Sequence, residues 1–209
     1  MAFKKVGQGR FSGGSAVAGL ERGSLDDLMK KLLVRREVFI APAAGASNVH
    51  AQIVANIDSG AGLTQPGTPR NLQLVTNAAW DGGSLEVTGY CADGILRTET
   101  IVPVVGGGTK VGTYAFALLT HLKNTGTFSA GTADLQLAAA ASTSFGVAAR
   151  GIVDFLKLAV DGANEAIAAE SLSLGTFRPT TVPNAAHHYE ITYLVDEVGD
   201  LPVSDVYDA

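Results

Sequence analysis

Cysteine is nearly absent from this chain. Cys91 is the only one in 209 residues, so no intrachain disulfide can staple the fold, and a reducing compartment fits better than secretion. A lone thiol at the end of a β-like segment reads as a small buried hydrophobe. Long apolar runs are missing too. The first residues hold lysines but no stretch of signal-peptide length, and nothing later approaches the ~20 uncharged residues of a spanning helix. The expectation is a soluble, unprocessed protein with no membrane partner. Aromatic residues are few, with one tryptophan, Trp80, so a sugar-stacking platform would have to rest on Trp80 and scattered tyrosines.

Positive charge is scarce outside the first 40 residues. Those residues hold eight Lys or Arg against four acids, and the remainder has seven against sixteen. A basic leading arm and an acidic body thus share one chain. The arm's charge is too thin, and too poor in interleaved aromatics, for a nucleic-acid surface, so no nucleic acid is expected and an acidic protein surface is the better partner.

The organisation that follows has three parts. Residues 1–36 read as an extended basic arm with a short helix, residues 37–196 as a β-rich body, and residues 197–209 as an acidic tail. The arm is glycine-rich, with single apolar residues at no regular period. Fixing about 20 such residues costs on the order of 30 kcal/mol, which asks for about 1,200 Å² of apolar burial that five spaced side chains cannot find on their own body. A partner must therefore supply the contacts, with Phe3, Lys4, Lys5, Arg10, Phe11 and Arg22 as the anchors. Ser24 as N-cap, Asp27 three residues on, an apolar stripe through Leu25, Leu28 and Leu32, and Lys30 and Lys31 in the last turn predict one short helix over 24–34. Leu28 and Leu32 would dock that helix on the body or on a neighbouring subunit.

From Glu37 the period becomes that of strands. Ten are predicted: Glu37–Ala41, Val49–Ile57, Asn71–Thr76, Ser84–Tyr90, Leu96–Pro103, Tyr114–Leu122, Ala133–Leu137, Ile152–Val160, Ala166–Ser171 and His188–Val195. Leu85, Val87 and Gly89 fall on one face, with Glu86, Thr88 and Tyr90 on the other. Tyr114–Lys123 also fits helical spacing, but strand is preferred. Asp58-Ser59-Gly60, Asp81-Gly82-Gly83, Asp93-Gly94 and Asp161-Gly162 supply the tight reversals expected between antiparallel neighbours. Short strands with such punctuation predict a mainly β fold, an antiparallel β-sandwich of jelly-roll-like type. Ala138–Ser144 reads as a loop or one helical turn, and Phe177–Pro183 as an extended connector.

Tested for chemistry, the chain offers little. Val105–Lys110 has the glycines of a phosphate loop, but Thr precedes Lys and a strand follows. His187 and His188 are adjacent, so on a strand they point apart, and His50 and His121 stand alone, which argues against a metal. Cys91 has no histidine near in sequence, and no serine sits in a nucleophile elbow. Glu86 and Glu99 on paired strands would suit a glycosidase if they faced one another, but solvated sheet-face acids are the plainer reading. Asp196, Glu197, Asp200, Asp205 and Asp208 match no calcium-loop spacing. The expectation is a protein without catalytic residues, metal or cofactor.

Several runs carry a resemblance. Pro69-Arg70-Asn71-Leu72, Gly83-Ser-Leu-Glu-Val-Thr-Gly89, Ala92-Asp93-Gly94, Leu96-Arg-Thr-Glu-Thr-Ile101 and Tyr114-Ala-Phe116 resemble a pattern of virion structural proteins of tailed bacteriophages, of the head decoration or cement type. Gly175-Thr-Phe-Arg-Pro-Thr-Thr181 and Tyr189-Glu-Ile-Thr-Tyr193 are similar to the closing strands of the same group. The resemblance implies a non-enzymatic capsid cement protein, assembled in the host cytoplasm and located on the virion surface. Its partners would be the major capsid protein and other copies of itself, as dimer or trimer. A tail, connector or head-fibre protein is the first alternative, and a carbohydrate-binding module the second.

Overall fold

The computed structural model describes residues 32–45, 47–53, 58–125 and 131–196. Among these residues fifteen strands form: β1 (Leu32–Ile40), β2 (Asn48–Ile53), β3 (Asp58–Ser59), β4 (Leu72–Thr76), β5 (Ser84–Cys91), β6 (Leu96–Ile101), β7 (Gly108–Val111), β8 (Phe116–Thr125), β9 (Ala133–Leu137), β10 (Phe145–Gly146), β11 (Ile152–Val160), β12 (Ala163–Glu165), β13 (Ile167–Ser171), β14 (Thr176–Pro179) and β15 (His188–Asp196). Ala140–Ser142 makes one 3-10 turn.

The expected jelly-roll-like sandwich does not form. The strands distribute over four separate antiparallel sheets, none of them closed, in the orders β1-β15-β11-β12, β10-β14-β13, β2-β9-β4-β7 and β3-β8-β5-β6. Alternation tells a strand which face is apolar but not which strand lies beside it, and here most pairings are distant in sequence. The expected helix is corrected as well. Leu32, Leu33 and Val34 lie in strand β1, paired with Asp196, Val195 and Leu194 of β15. A marginal ten-residue helix yields where a nine-residue strand partner satisfies the same backbone groups. The rest of that segment, residues 24–31, lies outside the described residues.

Two apolar clusters hold the sheets. In the first, Leu72, Leu74 and Leu135 from one sheet meet Val87, Phe116 and Leu122 from another, together with Trp80 and Cys91. The second gathers Phe39, Phe145, Phe155, Phe177, Tyr189 and Ile191. Its aromatic rings touch in series, Phe145 lying 5.3 Å from Phe39, 5.8 Å from Phe177 and 5.3 Å from Tyr189. Each such side chain contributes about 1.5–3 kcal/mol by leaving water, and the tilted ring pairs add about 1 kcal/mol each.

The segment Pro69–Asn71 joins the two clusters. Arg70 exchanges backbone hydrogen bonds with Phe116 of β8, its N–H to Phe116 O at 3.1 Å and its O from Phe116 N–H at 3.0 Å, and it also bridges Phe145 of β10. Its side chain is 1% exposed. The guanidinium donates to Ala43 O and Ala138 O, both at 2.5 Å, and to Thr143 Oγ1 at 3.0 Å, and it lies 5.9 Å from the centre of the Phe145 ring. Burial lowers its pKa to about 10, still well above neutral. A lysine could not span these acceptors, because only the planar fork reaches several at once. Asn71 beside it donates from Nδ2 to Gly112 O and Ser142 O, and its Oδ1 accepts from Ser144 N–H.

Two reversals behave as expected. Asp93-Gly94 closes the β5–β6 hairpin and Asp161-Gly162 the β11–β12 hairpin. Asp81-Gly82-Gly83 does not, since β4 and β5 belong to different sheets. Asp58 and Ser59 form β3, pairing with Lys123 and Leu122. At Gly89 a Cβ would meet Leu118 O at 2.4 Å, so β8 packs here at a distance only glycine allows.

Candidate functional site

Of the eight residues expected to bind a partner, Phe3, Lys4, Lys5, Arg10, Phe11, Arg22 and Leu28 lie outside the described residues. Leu32 is described, and it opens β1 as an exposed strand residue. The structure therefore assembles no site from that set, and the surface that emerges was not singled out in the sequence.

That surface is apolar and open. On β1, successive outward residues are Leu32, Val34, Arg36, Val38 and Ile40, and the four apolar ones are exposed, Val34 and Ile40 to 65% and 71%. Their β15 partners are Asp196, Leu194, Thr192, Glu190 and His188. Val153 and Leu156 of β11 are exposed in the same sheet, each at a break in the β11–β15 register. A bulge turns the added residue out of the regular alternation, which is why periodicity alone did not reveal them. A second group lies on the sheet β3-β8-β5-β6, where Tyr90 stands opposite Leu96 of β6 and Leu118 of β8, all three exposed. Exposed apolar side chains in groups, rather than singly, mark surfaces that meet another molecule.

The polar constellations hold the fold. Asp93 accepts a bidentate pair from Arg97 at 2.8 and 2.7 Å, and its Oδ1 accepts from Ile95 N–H. That pairing keeps the Arg97 guanidinium firmly protonated, 5.6 Å from the centre of the Tyr114 ring. Glu99 accepts from Thr113 N–H at 2.5 Å and Tyr114 N–H at 3.3 Å. Glu86 pairs with Thr100 while Glu99 pairs with Val87, so the two carboxylates stand on opposite faces of the sheet and cannot flank one bond. Glu165 fastens the Phe177–Pro183 connector, accepting from Thr180 N–H, Thr181 N–H and the Thr181 hydroxyl.

Cys91 is buried in the first cluster, and that burial pushes its thiol pKa up, which disfavours the nucleophilic thiolate. Trp80 is 3% exposed, so it cannot serve as a sugar-stacking platform. The 105–110 glycine run leads into strand β7, not a helix. Among the described residues no group of three or more His, Cys, Asp or Glu is placed to hold a metal ion, and no helix is long and apolar enough to cross a membrane.

His187 and His188 converge on one carboxylate. Asp161, with φ of 49°, turns the β11–β12 hairpin, accepts from His188 N–H at 2.8 Å, and lies 2.6 Å from His187 Nδ1. The His188 backbone bond first, and the His187 side chain second, hold the Asp161 pKa below its ordinary 3.8. A depressed folded pKa means the clasp contributes stability above the unfolded value and loses it as pH falls through the folded one. The His188 amide proton should therefore titrate with a midpoint below 3.8 in a proton NMR pH series, and the step should vanish in Asp161→Asn. A midpoint at or above the ordinary aspartate value would show that the clasp does not form.

Glu37 takes the opposite shift. Burial raises its pKa, although its Oε2 accepts from Ala148 N–H at 2.9 Å and from the Tyr193 hydroxyl at 3.3 Å. It lines an open cleft of about 310 Å³ with Arg35, Arg36, Ala148 and Tyr193.

Compared with family models, curated proteins and solved structures, the chain matches none.

Proposed function

We propose that this chain is a structural protein of a tailed-bacteriophage particle, a capsid decoration protein that binds the mature lattice and bridges neighbouring subunits. The observation that carries the reading is the grouping of exposed apolar side chains on open sheet faces, Tyr90, Leu96 and Leu118 on one and Leu32, Val34, Val38 and Ile40 on another. Such faces suit contact with other folded subunits. The runs that resemble decoration proteins support it from a second side, because Arg70, Asn71, Asp93, Arg97 and Glu99 are the residues that tie turns and clusters together.

In this reading the basic leading residues grip the capsid and the acidic body projects outward. Binding only the expanded lattice would stabilise it by an amount that grows with the logarithm of concentration over dissociation constant. Deleting residues 1–23 is expected to leave a folded body whose co-sedimentation with expanded capsids falls at least tenfold. Undiminished co-sedimentation would refute the arm's role, and failure of the intact chain to bind capsids would refute the decoration reading itself. Counting copies per particle separates the alternative, since a tail or connector component is present in far fewer copies than a lattice-wide cement.

A further inference from the structure

We propose that the outer edge of β1 pairs with the same edge of a second copy of this chain, antiparallel and centred on Arg36. The inference stands on the geometry of β1 and does not depend on the capsid reading.

β1 ends its sheet. Nine residues pair with β15 on one side, without a register shift, and among the described residues nothing pairs with the other side. Proteins usually blunt such an edge by shortening, bulging, charging or placing proline in it. The other sheet ends are blunted in these ways: β3, β7, β10 and β12 have two to four residues, and β2 and β13 carry register shifts. β6 is regular but has only six residues. β1 carries charge only at its centre, in Arg35, Arg36 and Glu37, and is otherwise apolar, long, regular and free of proline, which leaves a template for strand addition to a partner that matches those charges.

The sequence of β1, Leu-Leu-Val-Arg-Arg-Glu-Val-Phe-Ile, is close to self-complementary about its centre. Antiparallel pairing about Arg36 sets Leu32 opposite Ile40, Leu33 opposite Phe39, Val34 opposite Val38 and Arg35 opposite Glu37, each twice by symmetry. Apolar meets apolar and cation meets carboxylate, the pairs that stabilise antiparallel neighbours. Only Arg36 meets its own kind, and Arg36 is already bonded to Glu190 at 2.5 Å, so its charge is compensated.

Competing registers fail on the same criteria. Sliding by two residues in one direction sets Glu37 against Glu37 and Arg35 against Phe39. Sliding in the other sets Arg35 against Arg35 and Leu33 against Glu37. An odd slip places the buried face, with Phe39 and Leu33, against the solvent face. The favoured pairing is isologous and closed, as a two-fold dimer requires. It continues the four-stranded sheet into eight strands and lines up the exposed Leu32, Val34, Val38 and Ile40 of both copies. It also sends the two leading arms off at points roughly 26 Å apart, from eight residues at about 3.3 Å each, a spacing that would let one dimer grip two sites.

The test uses the full chain. Sedimentation velocity over a dilution series should show a species of twice the 21.4 kDa chain mass in exchange with monomer. Val38→Lys and Val34→Glu should each weaken association at least tenfold. The double variant should regain most of it, because Glu then faces Lys across the axis. Register is read separately by cross-linking: with Cys91 buried, Arg36→Cys should form a disulfide-linked dimer under mild oxidation. Val38→Cys should not, since its like positions would stand about 13 Å apart, beyond disulfide reach. A monomer at every concentration, or Val38→Cys linking as fast as Arg36→Cys, would overturn the proposal. So would slow exchange, in a monomer, of the β1 amides that face away from β15, which would mean that residues 1–31 cover the edge.

Discussion

Arg70→Ala is expected to cost about 4 kcal/mol, within the roughly 2–5 kcal/mol of emptying the site of a large, fully buried side chain. Ala138 O, which is buried, would lose the donor that now sits at 2.5 Å, and such an acceptor left unpaired costs about 1–3 kcal/mol, whereas Ala43 is exposed and its carbonyl passes to water. Thr143 already donates to Ala138 O at 3.0 Å, so that carbonyl is partly rescued, which keeps the sum near the middle of the range. Against a total stability of roughly 5–15 kcal/mol, such a loss is large. Because Pro69–Asn71 is hydrogen-bonded to β8 on one side and β10 on the other, the loss should also show in the form of unfolding. Urea denaturation followed by Trp80 fluorescence, which reports the first cluster, and by near-ultraviolet tyrosine signal should separate into two midpoints. Coincident curves within about 1 kcal/mol of wild type would mean that Arg70 is not the joint. Arg70→Lys should recover less than half of the loss, since an ammonium cannot reproduce the fork.

Phe145→Ala should be nearly as damaging, at about 4 kcal/mol, the ordinary cost of emptying a fully buried phenyl site. Phe145 is 0% exposed and touches Phe39, Phe177 and Tyr189, so three rings lose a neighbour and a cavity remains where β10 is too short to collapse inward. The damage should concentrate in the second cluster, with Trp80 fluorescence changing last. Since the Arg70 guanidinium faces the same ring, the double variant should lose at least 1 kcal/mol less than the two single losses added, the mark of residues in contact. Strict additivity would show that the cation and the ring act independently.

These two residues also show where local reading stops. Arg70 and Phe145 sit in short irregular stretches with no period, and nothing in their neighbours announces that one is a buried cation and the other the centre of an aromatic group. Trp80 is similar. A sugar-stacking platform would have to rest on it, yet the ring is buried, with Trp80 O accepting from Gly106 N–H of a distant glycine turn. The candidate surface was legible only in part. Alternation puts Tyr90 with Glu86 and Thr88 on the face opposite Leu85 and Val87, but its grouping with Leu96 and Leu118 needed the register of three strands.

What the amino-acid sequence determined by itself is everything that neighbours along the chain decide. Strong alternation made Ser84–Cys91, Ala133–Leu137 and His188–Asp196 strands with their buried faces in place, and Asp-Gly turns with the glycine at positive φ closed the β5–β6 and β11–β12 hairpins. The tertiary structure alone decided which strands lie together: β1 beside β15 from the far end of the chain, β4 and β5 in different sheets despite a turn between them, and four open sheets in place of two. The reason is that an extended segment offers the same row of N–H and C=O groups to every other extended segment. Its partner is chosen by the burial of the whole set of faces at once, and no local pattern contains that sum.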